Sequence, residues 1–247
     1  MEHKKIYVWA HRGASGYAPE NTLPSFEKAI EQQADGIELD VQMTKDGELV
    51  VIHDETIDRV CEQSGYVRDY TWQELRQFNC NQTFPEYGTQ RIPLLQEVLE
   101  LIQPTELTVN IELKTGVIFY EGIEQQTMQL VRECDMSERV IYSSFNHYSA
   151  LKVRQIDPRA RVGLLHEDGI YEAPAYAAGL GVQALHPAVW NLQYPGYMEQ
   201  ARAHGLDVNV WTVNDRAQME QMCDYGVHAI ITNYPDIARH VADTYII

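Results

Sequence analysis

The sequence predicts an α/β barrel of the TIM (β/α)8 type with a small inserted lobe after the second strand. Three observations predict it: a length of 247 residues, an alternation of short β-branched runs with longer amphipathic stretches, and one Asp-Gly turn that accounts for a surplus strand. Such alternation is typical of a parallel sheet with crossover helices. We therefore expect a single domain over residues 1–247, with the insertion at about 54–92.

Nine short apolar runs are candidate strands, and amphipathic stretches between most of them are candidate helices. The predicted strands are Tyr7–Ala10, Gly36–Val41, Leu49–His53, Thr108–Lys114, Val140–Phe145, Arg161–His166, Ala184–Ala188, Asp207–Thr212 and Ala229–Thr232. The predicted helices are Leu23–Gln33, Leu94–Ile102, Tyr120–Glu133, His147–Ile156, Ala173–Gly179, Gly196–Ala203 and Arg216–Tyr225.

One connection, between Val41 and Leu49, has no room for a helix. It contains Thr44-Lys45-Asp46-Gly47, and Asp-Gly is a strong hairpin signal. Folding the chain about this turn returns Leu49–His53 antiparallel to the second strand, with His53 opposite Asp40. Without the returning strand, eight parallel strands remain, which is the number that closes a TIM barrel.

The segment 54–92 is polar, rich in aromatic residues and interrupted by glycine and proline. A structureless loop of that length is improbable inside a compact domain. We therefore expect a lobe that packs on its own small cluster, with one helix at Thr71–Phe78. We also expect this lobe to decide which substrate the protein accepts.

The charge excludes several classes of partner. With 19 basic and 36 acidic residues the formal net charge is −17, which argues against nucleic acid and anionic membranes. No apolar run has the length of a transmembrane helix or a signal peptide. No two cysteines form a C-x-x-C pair, so we expect a cytoplasmic protein with four reduced thiols: Cys61, Cys80, Cys134 and Cys223.

Carboxylates lie near the C-terminal ends of two predicted strands. Residues i and i+2 of a strand share a face, so Glu38 and Asp40 point together, as do Glu112 and Lys114. The apolar residues between them must face the helices, which leaves the carboxylates at the mouth of the barrel. Buried like charges need a counter-charge, and one hard divalent cation, Mg²⁺ or Ca²⁺, suits oxygen ligands best. Glu38, Asp40 and Glu112 are the expected metal ligands.

Two histidines and two fixed cations belong to the same strand ends. Histidine is the side chain whose ordinary pKa lies near neutrality, so His11 and His53 suit general acid–base catalysis. Arg12 can bind a phosphate with two hydrogen bonds, and Lys114 adds a point charge. This set of groups predicts hydrolysis of a phosphodiester.

Two further residues have two interpretations each. Trp211 either fills the barrel or stacks on part of a substrate. Glu20 either reaches the metal or braces Arg12. Asn214, just beyond the strand that ends at Thr212, is a candidate supporting residue.

Taken together, the motifs resemble the glycerophosphodiester phosphodiesterase family from about residue 7 to 235. The resemblance implies a TIM barrel with an inserted cap, a metal at Glu38, Asp40 and Glu112, and acid–base histidines at His11 and His53. The implied activity is cleavage of small glycerophosphodiesters to sn-glycerol 3-phosphate and an alcohol. The motifs are His11-Arg12-Gly13, Pro19 to Phe26, Glu38-Leu39-Asp40-Val41, Thr44-Lys45-Asp46-Gly47, His53-Asp54, Glu112-Leu113-Lys114, Trp211-Thr212-Val213-Asn214 and Thr232-Asn233-Tyr234-Pro235.

Alternatives remain open at this point. A phospholipase C- or D-like enzyme acting on lipid shares the barrel and the histidine pair, and a non-catalytic phosphodiester-binding barrel would share the site. The head group, the preferred metal, the division of acid and base roles, the choice between water and a cyclic phosphate route, and the oligomeric state are not predicted.

Overall fold

The computed structural model describes residues 5–245 as a closed barrel of eight parallel strands surrounded by helices. The strand order is β1-β9-β8-β7-β6-β5-β4-β2-β3, and pairing of β1 with β2 closes the ring. Only β3 is antiparallel among the strands of the described part. The predicted barrel is confirmed. The strands are β1 (Tyr7–His11), β2 (Gly36–Met43), β3 (Leu49–Val51), β4 (Thr108–Leu113), β5 (Val140–Ser144), β6 (Arg161–His166), β7 (Ala184–Pro187), β8 (Asp207–Val210) and β9 (Ala229–Thr232).

Helices follow the strands around the outside. The final helix, α9, was not predicted, although Pro235 is well placed in a first helical turn and Ala238 and Val241 are buried. The helix predicted at Thr71–Phe78 is shorter, α2. The helices are α1 (Leu23–Glu31), α2 (Trp72–Leu75), α3 (Leu95–Ile102), α4 (Ile123–Glu133), α5 (His147–Ile156), α6 (Ala173–Leu180), α7 (Tyr197–Ala203), α8 (Arg216–Tyr225) and α9 (Pro235–Thr244).

Two apolar layers hold the barrel together. The outer layer packs strands against helices and includes Ile37, Leu39 and Val41 of β2. A smaller cluster that includes Trp9 and Ile231 brings together residues of β1, β5, β7 and β9. Because Ile37, Leu39 and Val41 face the helices, the alternating side chains of β2, Glu38 and Asp40, face the barrel interior.

The β2–β3 hairpin exists, but its register differs by one residue from the prediction. Val41 pairs with Val51 and Met43 with Leu49, so Ile52 rather than His53 lies beside Asp40, whose carbonyl accepts from the Ile52 amide at 3.0 Å. The turn has three residues between Thr44 and Glu48, with Gly47 at a φ of +87°. A type I turn followed by a left-handed glycine adds one residue to the loop.

The insertion forms a lobe with its own apolar cluster, built on Val50 and Ile52 of the hairpin. Ile57 and Leu75 are fully buried there. A disulfide joins Cys61 to Cys80 inside the lobe, while Cys134 and Cys223 are free. The prediction of four reduced thiols is therefore wrong for Cys61 and Cys80. The residues are 19 positions apart, and spacing alone does not show that the lobe brings them together.

Candidate active site

Three carboxylates meet inside the mouth of the barrel. Glu38 and Asp40 lie on β2, Glu112 lies on β4, and the parallel register places Asp40 beside Glu112. All three are buried, and an oxygen of each lies within 4.8 Å of the others. These side chains therefore lie on the face of the strands that the alternation of residues predicts.

The charges of the three carboxylates are unequally compensated. Burial, and after it the charge of Asp40, raises the pKa of Glu38 well above its ordinary value. Burial also raises the pKa of Glu112, although Lys114 lies 2.8 Å from it. Burial acts in the same direction on Asp40, yet Arg12 at 3.3 Å and Lys114 at 3.8 Å hold the pKa of Asp40 below its usual range.

This cluster fits a hard divalent cation. Asp40 is completely buried, and its Oδ1 atom has no hydrogen-bond partner. An unpartnered buried carboxylate oxygen is costly, and a cation with oxygen ligands would satisfy it. The other oxygen, Oδ2, accepts a hydrogen bond from the side-chain amide of Asn21 at 2.8 Å. Oδ1 is therefore the oxygen of Asp40 that is available to bind a cation.

His11 ends β1 at the edge of the carboxylate cluster. Its Nδ1 lies 2.7 Å from the Asn233 side-chain oxygen, which only accepts hydrogen bonds, so Nδ1 carries the proton. The Nε2 atom is then a free acceptor, 4.0 Å from Glu38. Burial, aided by the charge of Arg12, lowers the pKa of His11 to about 4, so its imidazole is neutral at pH 7.

His53 lies at the end of the hairpin and has a carboxylate partner. Its Nδ1 is 2.6 Å from Asp54, an arrangement that fixes the orientation of the ring. Asp54 in turn accepts two hydrogen bonds from Arg59, at 2.7 and 3.1 Å. Arg59, a residue of the lobe, therefore holds Asp54 in place beside His53.

Arg59 also connects His53 to Arg12 through Glu20. Two hydrogen bonds of 2.7 Å join Arg59 to Glu20, and Glu20 accepts a third from Arg12 at 3.0 Å. Of the two interpretations of Glu20, bracing of Arg12 is the one that this geometry supports. Burial works against ionisation of Glu20, but the contacts with Arg59 and Arg12 lower its pKa.

Sequence reasoning missed three residues of this network: Asn21, Arg59 and Asn233. Asn21 belongs to the motif from Pro19 to Phe26, but only the structure shows its contact with Asp40. Asn233 lies 222 residues from His11 along the chain, so no spacing rule connects them. Asn214 does not enter the site. Its Oδ1 accepts a hydrogen bond from the backbone N–H of Asn233 at 2.9 Å.

A cavity of about 220 Å³ opens above these groups. Trp211 lines it and packs edge to face on Phe145, with ring centroids 5.5 Å apart. None of the lining residues comes from the lobe at 54–92, and the role of the lobe in choosing the alcohol stays a prediction. The lining residues are His11, Arg12, Glu38, His53, Asn110, Glu112, Phe145, Leu165, Glu167, Trp211, Thr212 and Ile231.

This barrel, with its acidic cluster and two histidines, matches known proteins over nearly its whole length. A profile of the Glycerophosphoryl diester phosphodiesterase family matches residues 11–237. The chain belongs to the glycerophosphoryl diester phosphodiesterase family. It is therefore an enzyme, a phosphoric diester hydrolase, and the alternative of a non-catalytic binding barrel is wrong.

Relatives within this family are similar across the full chain. A glycerophosphodiester phosphodiesterase of Caldanaerobacter subterraneus is 44% identical, covering 94% of this chain and 96% of the relative. One of Bacillus altitudinis is 38% identical, covering 96% and 98%. An Oleispira antarctica phosphodiesterase, solved in complex with the product sn-glycerol-3-phosphate, is 26% identical with a TM-score of 0.88, covering 97% and 98%.

Proposed function

We propose that this phosphodiesterase hydrolyses small glycerophosphodiesters to sn-glycerol 3-phosphate and an alcohol, with one divalent cation and two catalytic histidines. The observation that carries the proposal is that His11 and His53 line the same cavity as the carboxylate cluster. The Oleispira antarctica neighbour with bound sn-glycerol-3-phosphate supports the same product here.

The ligands of the cation are Glu38, Asp40 and Glu112, and either Mg²⁺ or Ca²⁺ suits them. Such an ion supplies charge stabilisation for the phosphoryl oxygens in the transition state. Arg12 and Lys114, which already lie against these carboxylates, add positive charge on the same side of the cavity and bind the phosphate oxygens.

The hydrogen-bond partners of the two histidines support different roles, with His11 as the general base and His53 as the general acid. His11, whose Nδ1 proton is held by Asn233, accepts at Nε2 the proton of the attacking hydroxyl. His53, backed by Asp54, donates a proton to the departing alcohol oxygen as the phosphorus–oxygen bond breaks. The attacking hydroxyl belongs either to water or to the glycerol itself, which gains from proximity and forms a cyclic phosphate before water opens it.

The first test is release of glycerol 3-phosphate from defined diesters with added Mg²⁺ or Ca²⁺. We expect His11→Ala and His53→Ala each to lower kcat by about 10²- to 10⁴-fold, because each loses a proton-transfer step. His204→Ala, at an exposed histidine, is the matched control. EDTA should abolish the activity and either ion should restore it. Turnover near wild type in both variants, or after exhaustive chelation, would contradict the proposal.

The partners follow from the same site. We propose a small-molecule substrate, with no nucleic acid and no membrane as partner; the formal charge of −17 supports this. Within residues 5–245, no helix is both long and apolar enough to span a bilayer. Co-sedimentation with liposomes distinguishes this proposal from the lipid phosphodiesterase alternative, which requires binding to vesicles.

The cellular location stays a prediction. The cytoplasm was expected together with reduced thiols, whereas a Cys61–Cys80 disulfide is typical of oxidising compartments. Alkylation of free thiols in intact cells before lysis separates the two cases. Four labelled cysteines would support a cytoplasmic enzyme, and two would support an oxidising compartment.

A further inference from the structure

The two sides of the catalytic cavity differ in chemistry. The side formed by β1, β2 and β4 carries the histidines, Arg12 and the carboxylates. The side that follows β5, β6 and β8 carries Phe145, Glu167 and Trp211. A phosphodiester has two ester substituents, so each side of the cavity has one substituent to bind.

The glycerol half fits the polar side. Glycerol hydroxyls need hydrogen-bond partners, and Asn110 on β4 lines the cavity with a side-chain oxygen that is buried and unpartnered. Glu38 pairs with Asn110 in the parallel register, so this oxygen lies next to the carboxylate cluster. The alcohol head group is therefore left to the opposite side.

That opposite side combines aromatic rings with an unpaired negative charge. Phe145 is 41% exposed and packs edge to face on Trp211. Glu167 is exposed, and across residues 5–245 no Lys, Arg or His forms an ion pair with it. Its backbone is held firmly, because its carbonyl accepts from the side chains of Trp190 and Asn191 at 2.9 and 2.8 Å.

We propose that Phe145, Glu167 and Trp211 form an amine subsite that binds a positively charged head group, so that the enzyme prefers diesters of amino alcohols to diesters of neutral alcohols. Aromatic faces attract ammonium groups and are the usual recognition element for quaternary amines. The carboxylate of Glu167 adds a negative charge, which attracts a positively charged head group. The Lys114 ammonium lies over the Phe145 ring, 6.0 Å from its centroid, and its ion pair with Glu112 keeps it on the polar side.

The surroundings of the subsite favour the same class of head group. Nine of the ten large hydrophobic or aromatic side chains with the highest exposure in the described chain lie between residues 117 and 194, and seven of these nine are aromatic. Aromatic faces attract ammonium groups. The overall charge of −17 also attracts a cationic group and repels an anionic one.

The inference rests on the proposed function and is tested by comparing two diesters of equal shape. One carries choline, and the other carries 3,3-dimethylbutanol, in which carbon replaces the charged nitrogen. We expect wild-type kcat/KM to be roughly 5- to 30-fold higher for the choline diester, mainly through KM. In Glu167→Gln and in Phe145→Leu this ratio should fall towards one.

Asp168→Asn is the matched control, since Asp168 is the adjacent exposed carboxylate and is outside the cavity lining. We expect it to leave both the ratio and the activity unchanged. A wild-type ratio near one, or an unchanged ratio in both Glu167→Gln and Phe145→Leu, would overturn the amine subsite while hydrolysis of both diesters upheld the proposed function. Absence of hydrolysis of either diester with Mg²⁺ or Ca²⁺ would overturn the proposed function as well.

Discussion

At the scale of single residues, burial separates the histidines of this barrel into different chemical roles. His186 on β7 is completely buried and accepts a hydrogen bond from the Asn209 amide at 2.9 Å. Burial lowers the pKa of His186 to about 3. His186 lies at the end of a strand, but it does not line the catalytic cavity. A neutral His186 therefore belongs to the folding energetics rather than to the chemistry.

This burial predicts a loss of stability in acid. Because the pKa of His186 is lower in the folded state than the ordinary 6.5, the unfolded chain binds the extra proton first. The contribution of His186 to the free energy of unfolding is complete above pH 6.5 and is lost as the pH falls towards 3. Between pH 7.5 and pH 5 one such group accounts for about 2 kcal/mol of unfolding free energy.

Urea unfolding of wild type and His186→Gln at both pH values measures this contribution. We expect the difference between the two pH values to shrink in His186→Gln, whatever its stability at pH 7.5. His204→Gln, at an exposed position, should behave as wild type. The same pH dependence in all three proteins would show that His186 is not protonated on unfolding.

Single residues also show where sequence reasoning succeeds. Glu38, Asp40 and Glu112 were predicted to converge because alternation along a strand is a local rule, and neighbouring parallel strands end at one face. The partners of the histidines follow no local rule, since Asn233 and Arg59 approach the site from β9 and the lobe. Their contacts depend on tertiary packing, and only the structure reveals them.

At the scale of elements, the inserted lobe acts on the site through Asp54 and Arg59. Arg59 holds both Glu20 and Asp54, which are the partners of Arg12 and His53. The lobe thus contributes orientation and contributes no residue of its own to the cavity wall. Its expected role of choosing the alcohol stays a prediction.

Removal of Arg59 should lower catalysis without unfolding the protein. In Arg59→Ala, Glu20 and Asp54 lose their shared partner, and we expect kcat to fall roughly 10-fold, as is usual for groups that orient a catalytic residue. Arg59→Lys should recover part of the loss. The measurement is kcat for glycerol 3-phosphate release, alongside circular dichroism. Arg68→Ala is the control, because Arg68 is another exposed arginine of the lobe that lies against Asp69; equal kcat in both alanine variants would contradict the role of Arg59.

The elements themselves were predictable to different degrees. Strand–helix alternation and the Asp-Gly turn were sufficient for eight parallel strands and one hairpin. The register of the hairpin was wrong by one residue, because sequence does not distinguish a two-residue turn from a three-residue turn with Gly47 in the left-handed region. The Cys61–Cys80 bond was missed for a similar reason, since it depends on how the lobe folds.

At the scale of the whole molecule, an acidic protein also buries negative charge in its catalytic cavity. The formal charge is −17, and three buried carboxylates share a small volume with two cationic side chains. Desolvation and mutual repulsion raise the pKa values of Glu38 and Glu112. Such repulsion reduces the stability of the fold unless a cation relieves it.

Cation binding should therefore stabilise the folded protein, independently of turnover. At a free ion concentration 100-fold above Kd, linkage gives about 2.7 kcal/mol of added stability, visible as a higher Tm in Mg²⁺ or Ca²⁺ than in EDTA. Glu38→Gln should lose this rise and yet melt higher than wild type in EDTA, because one of the repelling charges is gone. Glu199→Gln, at an exposed position of α7, should keep the wild-type response. An equal rise in wild type and Glu38→Gln would place the ion elsewhere, and a Glu38→Gln protein that melts below wild type in EDTA would show that the three carboxylates do not repel one another in the folded state.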